Sequence, residues 1–73
     1  MTIEELLEAL PSEIYTKSGN FYCLQMGKDD VSGYYFSYEY NEGYKVHTLF
    51  FHKGSLKDSL EAVYQDLKDN NLL

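Results

Sequence analysis

Gly33-Tyr34-Tyr35-Phe36-Ser37-Tyr38-Glu39-Tyr40-Asn41-Glu42-Gly43-Tyr44-Lys45-Val46-His47-Thr48-Leu49-Phe50-Phe51 is the stretch that decides the fold. It is dense in aromatic and β-branched residues, which suit a pleated, half-buried surface, and Asn41-Glu42-Gly43 interrupts it as a turn. The reading is an antiparallel hairpin: a long strand from Val31 to Tyr40, a three-residue loop, and a strand from Tyr44 to Phe51. Gly33 inside the first strand marks a bulge or a close backbone approach.

A three-residue loop sets Tyr40 opposite Tyr44. Tyr38 then faces Val46, Phe36 faces Thr48 and Tyr34 faces Phe50 on one side, while Glu39 meets Lys45 and Ser37 meets His47 on the other. The first side is apolar enough to be core. The second is expected to be open, and it mixes Glu39, Lys45 and His47 with Tyr35, Leu49 and Phe51.

Upstream, Ile14 to Lys17 and Phe21 to Met26 alternate with period two around Ser18-Gly19-Asn20, which predicts a first hairpin. Gly27-Lys28-Asp29-Asp30 reads as the charged loop between the hairpins. Before them, Thr2 and Glu5 fit a capping box, and Ile3, Leu6, Leu7 and Leu10 recur at helical spacing until Pro11 stops the helix. After Phe51, His52-Lys53-Gly54 is expected to break the strand. Ser55 then caps a second helix over about 56 to 69, whose buried stripe is Leu56, Leu60, Val63, Tyr64 and Leu67. Leu72 and Leu73 are either a docked cap or a frayed tail.

The fold class is therefore α+β, in the order α-β-β-β-β-α, with an antiparallel sheet and both helices packed on one face. Residues 1–73 make a single compact domain, because a chain of this length buries only about 60–65% of its unfolded surface. An apolar fraction of 44% and an aromatic fraction of 16% support a folded chain. The lone Cys23 cannot form an internal disulfide, and no hydrophobic leader opens the chain, so a cytoplasmic location is expected.

Six lysines and no arginine stand against twelve acidic residues, a net charge of −6. That balance disfavours direct nucleic-acid binding, which draws on clustered Lys and Arg, and no membrane segment or small-molecule substrate is evident. His47 and His52 have poor metal-ligand spacing, and a regular strand would put them on opposite faces. Cys23, mid-strand, reads as a small buried thiol lacking the positive field that activates a nucleophile. Asp29-Asp30 lacks the alternating oxygen ligands of a calcium loop, and Gly54 with Lys53 and Lys57 matches no phosphate-binding loop. No catalytic, cofactor or metal site is expected, and the chain is not read as an enzyme.

Two resemblances rest mainly on element order. Helix, strands and helix resemble a double-stranded RNA-binding domain, in which a basic second-helix N-terminus meets phosphates. Lys53 and Lys57 would be the counterparts here, without a dense lysine cluster and with a fourth strand added. Gly54-Ser55-Leu56 followed by Leu60 and Ala62 is similar, over about twenty residues, to the strand-to-helix opening of antitoxin domains of HicB type.

The functional expectation is a small acidic, non-enzymatic protein-interaction module, of the kind found among phage or mobile-element accessory proteins. It would bind another protein, or a second copy of itself as a homodimer, through the open sheet face. The residues expected to carry binding are Tyr35, Glu39, Lys45, His47, Leu49 and Phe51. The alternative is a nucleic-acid-mimicking inhibitor of a DNA-handling or nuclease enzyme, with Glu4, Glu5, Glu8, Asp58, Glu61, Asp66 and Asp69 standing in for phosphates.

Overall fold

The computed structural model describes all of residues 1–73 and contains helix α1 (Ile3–Ala9), strands β1 (Glu13–Tyr15), β2 (Phe21–Asp29), β3 (Gly33–Glu42) and β4 (Lys45–Gly54), and helix α2 (Leu56–Asp69). The strands form one antiparallel sheet in the order β1-β2-β3-β4. Each connection is local, which is the simplest way to close a sheet from consecutive hairpins.

Helix α1 begins as its sequence dictates. The Thr2 hydroxyl accepts the Glu5 N–H at 3.1 Å, and the Glu5 carboxylate accepts the Thr2 N–H at 2.8 Å. These bonds satisfy two of the amide donors that a helix start leaves over, and they hold the Glu5 carboxyl below its ordinary pKa. At α2 the Ser55 hydroxyl accepts the Asp58 N–H at 3.1 Å. The far end of α2 closes with Asn71 at φ 58°, the Asn71 N–H donating to Lys68 and the Leu72 N–H to Leu67. This is a Schellman cap with asparagine in the left-handed position usually held by glycine. It docks Leu72 against the core and leaves Leu73 exposed.

Both helices pack on the same sheet face. Leu6 from α1 and Leu10 from its C-terminal cap, with Leu60, Val63 and Leu67 from α2, close over Ile14, Tyr22, Phe36 and Tyr38. Burying such side chains contributes about 1.5–3 kcal/mol each. Tyr38 is fully buried at the centre, and its hydroxyl donates to the Pro11 carbonyl at 2.7 Å. One side chain thereby ties the middle of the sheet to the connector between α1 and β1. Burial pushes the Tyr38 phenol up to about 12.

The second hairpin corrects the expected register. Its loop is Gly43–Tyr44, two residues rather than three, with Gly43 at φ 60°, the first central position at which a type II′ turn requires glycine. Tyr40 pairs with His47, Tyr38 with Leu49, Glu39 with Thr48 and Glu42 with Lys45. The slip is an odd number of residues, so this part of β4 presents the opposite set of side chains to the core. Val46 is exposed on the open face instead of lying beneath the helices.

A β-bulge then resets the alternation. Phe50 and Phe51 together stand opposite Ser37, after which Phe36 pairs with His52 and Tyr35 with Lys53. Phe50 has φ 55°, the left-handed conformation that a bulge of this type usually gives to glycine. Leu49 and Phe50 both pack against the core as a result. His47 and His52 fall on the same face, contrary to the regular-strand expectation.

Three boundaries also move. The stretch 27–29 belongs to β2 rather than to a loop, β3 starts at Gly33 instead of Val31, and β4 continues through His52-Lys53 to Gly54. The β2–β3 turn is held by the Asp29 carboxylate, which accepts the Val31 N–H at 2.8 Å and the Ser32 N–H at 3.4 Å. Those bonds hold the Asp29 carboxyl below its ordinary pKa. Gly33 makes the expected close approach: at φ 85°, it leaves room for the Gly54 carbonyl, which would lie 2.7 Å from any Cβ added there.

Candidate functional site: the open sheet face

With both helices on one side, the other side of the sheet is bare. Period-two alternation places Glu13 and Tyr15 of β1, Phe21, Cys23, Gln25 and Gly27 of β2, and Tyr35, Ser37 and Glu39 of β3 on it. Val46, Thr48, Phe51 and Lys53 of β4 complete the face.

Two aromatic groups stand at its ends. In one, the Tyr35 and Phe51 rings stack with centroids 6.2 Å apart, and the Lys53 ammonium lies 5.6 Å from the Phe51 ring centroid. Gly27, directly across from Tyr35, makes this possible, since its missing side chain leaves the space that the Tyr35 ring fills. In the other, Tyr15 and Phe21 meet edge to face at 4.3 Å. Stacked and edge-to-face pairs of this kind contribute about 0.5–1.5 kcal/mol beyond burial. Tyr15 nevertheless remains 64% exposed and Phe51 49%, so both groups leave apolar area open to solvent.

A polar band separates them. Glu13, Cys23, Glu39 and Thr48 lie in one row across the four strands, next to Gln25 and Ser37. The Ser37 hydroxyl is buried and donates to the Glu39 carboxylate at 3.3 Å. Cys23 is exposed, which corrects the expectation of a buried thiol.

Of the residues expected to carry binding, Tyr35, Glu39 and Phe51 are brought together on this face. Leu49 is not, because the register slip turns it into the core against Tyr38. His47 stacks on Tyr40 at 5.5 Å and meets the Glu42 carboxylate at 3.4 Å, on the helix-bearing side at the hairpin end, and Lys45 lies on that side opposite Glu42. Sequence reasoning missed Tyr15, Phe21, Cys23 and Lys53. A signal for the first three was present in the period-two alternation of 14–17 and 21–26: once Ile14 and Tyr22 lie in the core, their neighbours must point the other way.

The helix-bearing side offers less. His52 Nε2 lies 2.5 Å from the Asp66 carboxylate, joining β4 to α2. This takes Asp66 out of the acidic row that would imitate phosphates, and Glu61 in turn pairs with Lys57 at 3.8 Å. No group of three or more His, Cys, Asp or Glu side chains gathers to hold a metal. No helix is long and apolar enough to cross a membrane. No family model, no curated protein and no solved structure matches the chain.

Proposed function

We propose that this chain is a small non-enzymatic protein-interaction module whose working surface is the open sheet face, with a second copy of the chain as its first partner. The observation that carries the reading is the pair of half-exposed aromatic groups, Tyr35 with Phe51 and Tyr15 with Phe21, on a sheet face that neither helix covers. Aromatic anchors separated by polar side chains are the composition of an interface core and its rim.

Dimensions support the same reading. The molecule is a slab of 31 × 27 × 16 Å. A copy laid over its broad face would bury at most roughly 800 Å² per partner, the area typical of a specific protein complex. The acidity of the chain suits an accessory protein of a phage or other mobile element, which acts by binding.

Cys23 gives a built-in test, because its exposed thiol stands in the middle of the face. The rate of thiol labelling should fall as protein concentration rises, and Phe51→Asp should abolish that dependence. A labelling rate independent of concentration up to the millimolar range would contradict self-association through this face.

A further inference from the structure

A second surface, on the edge of β2, is independent of the open face. The β1–β2 ladder runs through Thr16 with Asn20, Ile14 with Tyr22, and Ser12 with Leu24, whose N–H donates to the Ser12 carbonyl at 2.9 Å. The next rungs in this series belong to Met26 and Lys28. Their would-be partners, Leu10 and Glu8, are part of α1 and its C-terminal cap, since the Leu10 N–H donates to Leu6 within the helix.

Pairing between β2 and β3 is regular from Cys23 to Asp29. In such a ladder alternate residues point their N–H and C=O groups to alternate sides. Leu24 points towards β1, so Met26 and Lys28 do as well, and four backbone groups lie along an open half-edge.

An apolar groove adjoins that half-edge on the helix-bearing side. It is a cavity of about 310 Å³ lined by Leu7, Met26, Lys28, Tyr34, Phe36 and Leu56, with a wall that is almost wholly apolar. Helix α1, seven residues long, contributes only Leu7 to the groove wall. Met26 is 53% exposed and Leu7 38%, both large apolar side chains left partly open to solvent. The Lys28 ammonium stands 5.7 Å from the Tyr34 ring centroid, exposed and without a carboxylate in ion-pair range, although acidic residues outnumber lysines two to one in this chain.

We infer that the β2 half-edge at Met26 and Lys28 accepts an extended peptide segment of another protein, antiparallel to β2 and in line with β1. The segment places an apolar side chain beside Met26 and Leu7 and a carboxylate at Lys28. Strand addition draws affinity from the main-chain bonds and specificity from alternate side chains, and here both are supplied side by side. The edge of β4 is less suited, because its bulge at Phe50 interrupts the row of backbone groups.

The probes are four acetylated, amidated octapeptides with alternating valine and threonine and one glutamate, carrying leucine, isoleucine, valine or phenylalanine at the position that meets Met26. The readout is amide hydrogen exchange together with amide chemical shifts. At least one peptide should bind saturably and slow exchange at Met26 and Lys28 by about tenfold or more, leaving the β4 amides unchanged. Lys28→Glu should weaken that peptide by roughly three- to fivefold, the range of an exposed ion pair, and a lysine in place of its glutamate should restore binding. Phe51→Asp should not alter binding, which separates this surface from the open face. Failure of all four peptides to protect Met26 and Lys28 at millimolar concentration, or protection along β4 instead, overturns the inference.

Discussion

The ring of Tyr35 occupies the space that a side chain at Gly27 would need, across the β2–β3 ladder. One residue's lack of a side chain thus sets the position of its neighbour's ring, and that ring forms half of the Tyr35–Phe51 stack. The atoms a new Cβ would strike are the far end of a side chain that can swing away.

Gly27→Ala is therefore expected to cost less than about 1 kcal/mol in urea unfolding, while displacing the Tyr35 ring from Phe51. The near-ultraviolet dichroism of the tyrosines should change, and self-association should weaken. An unchanged aromatic signal would mean that the ring does not depend on the glycine.

Gly33→Ala should behave differently, because its Cβ would meet the Gly54 backbone carbonyl rather than a movable ring, and its φ of 85° is strained for alanine. A loss of at least about 2 kcal/mol is expected. Gly19→Ala provides the control. It has the same φ with open space around it, and should cost about 1 kcal/mol from backbone conformation alone.

Phe50 combines a left-handed backbone with a side chain packed against the core. Phe50→Ala and Phe50→Gly both remove the ring, but only glycine adopts the conformation freely. The glycine variant should be the more stable of the two by about 1 kcal/mol, reversing the order that alanine and glycine show in regular strands. Equal stabilities would mean that the bulge relaxes once the ring is gone.

Tyr38→Phe leaves the Pro11 carbonyl without its donor and should cost about 1–2 kcal/mol at neutral pH. In the wild type the folded state favours the neutral phenol, whose pKa is pushed up to about 12 from an ordinary 10. That stabilisation is complete below about pH 10 and is lost as the pH rises from about 10 to 12. Its full size is roughly 2–3 kcal/mol. Unfolding free energies over this window should fall more steeply for the wild type than for Tyr38→Phe, so that the two curves converge and then cross.

The elements were legible in the sequence because each carries a local signature. The Thr2 and Glu5 box, the Leu10-Pro11 stop and the stripe from Leu56 to Leu67 define the helices, and Gly19 and Gly43 mark the hairpin turns. Register was not legible. Asn41-Glu42-Gly43-Tyr44 suits either a two- or a three-residue loop, and the choice decides whether Val46 or Leu49 enters the core. The bulge carried no signal either, since a phenylalanine holds the position where glycine would have announced it. The open face was accordingly half legible: Tyr35, Glu39 and Phe51 were found, Leu49 was misplaced by the register, and Tyr15, Phe21 and Cys23 were overlooked although their alternation was visible.

Binding of a second copy of the chain to the open face is measurable by sedimentation equilibrium across a concentration series. The wild type should show a monomer–dimer equilibrium that persists at high salt, as apolar contacts require, and a folded Phe51→Asp should be a monomer at every concentration. A wild type that stays monomeric at millimolar concentration, or a Phe51→Asp variant that dimerises as tightly as the wild type, would contradict it.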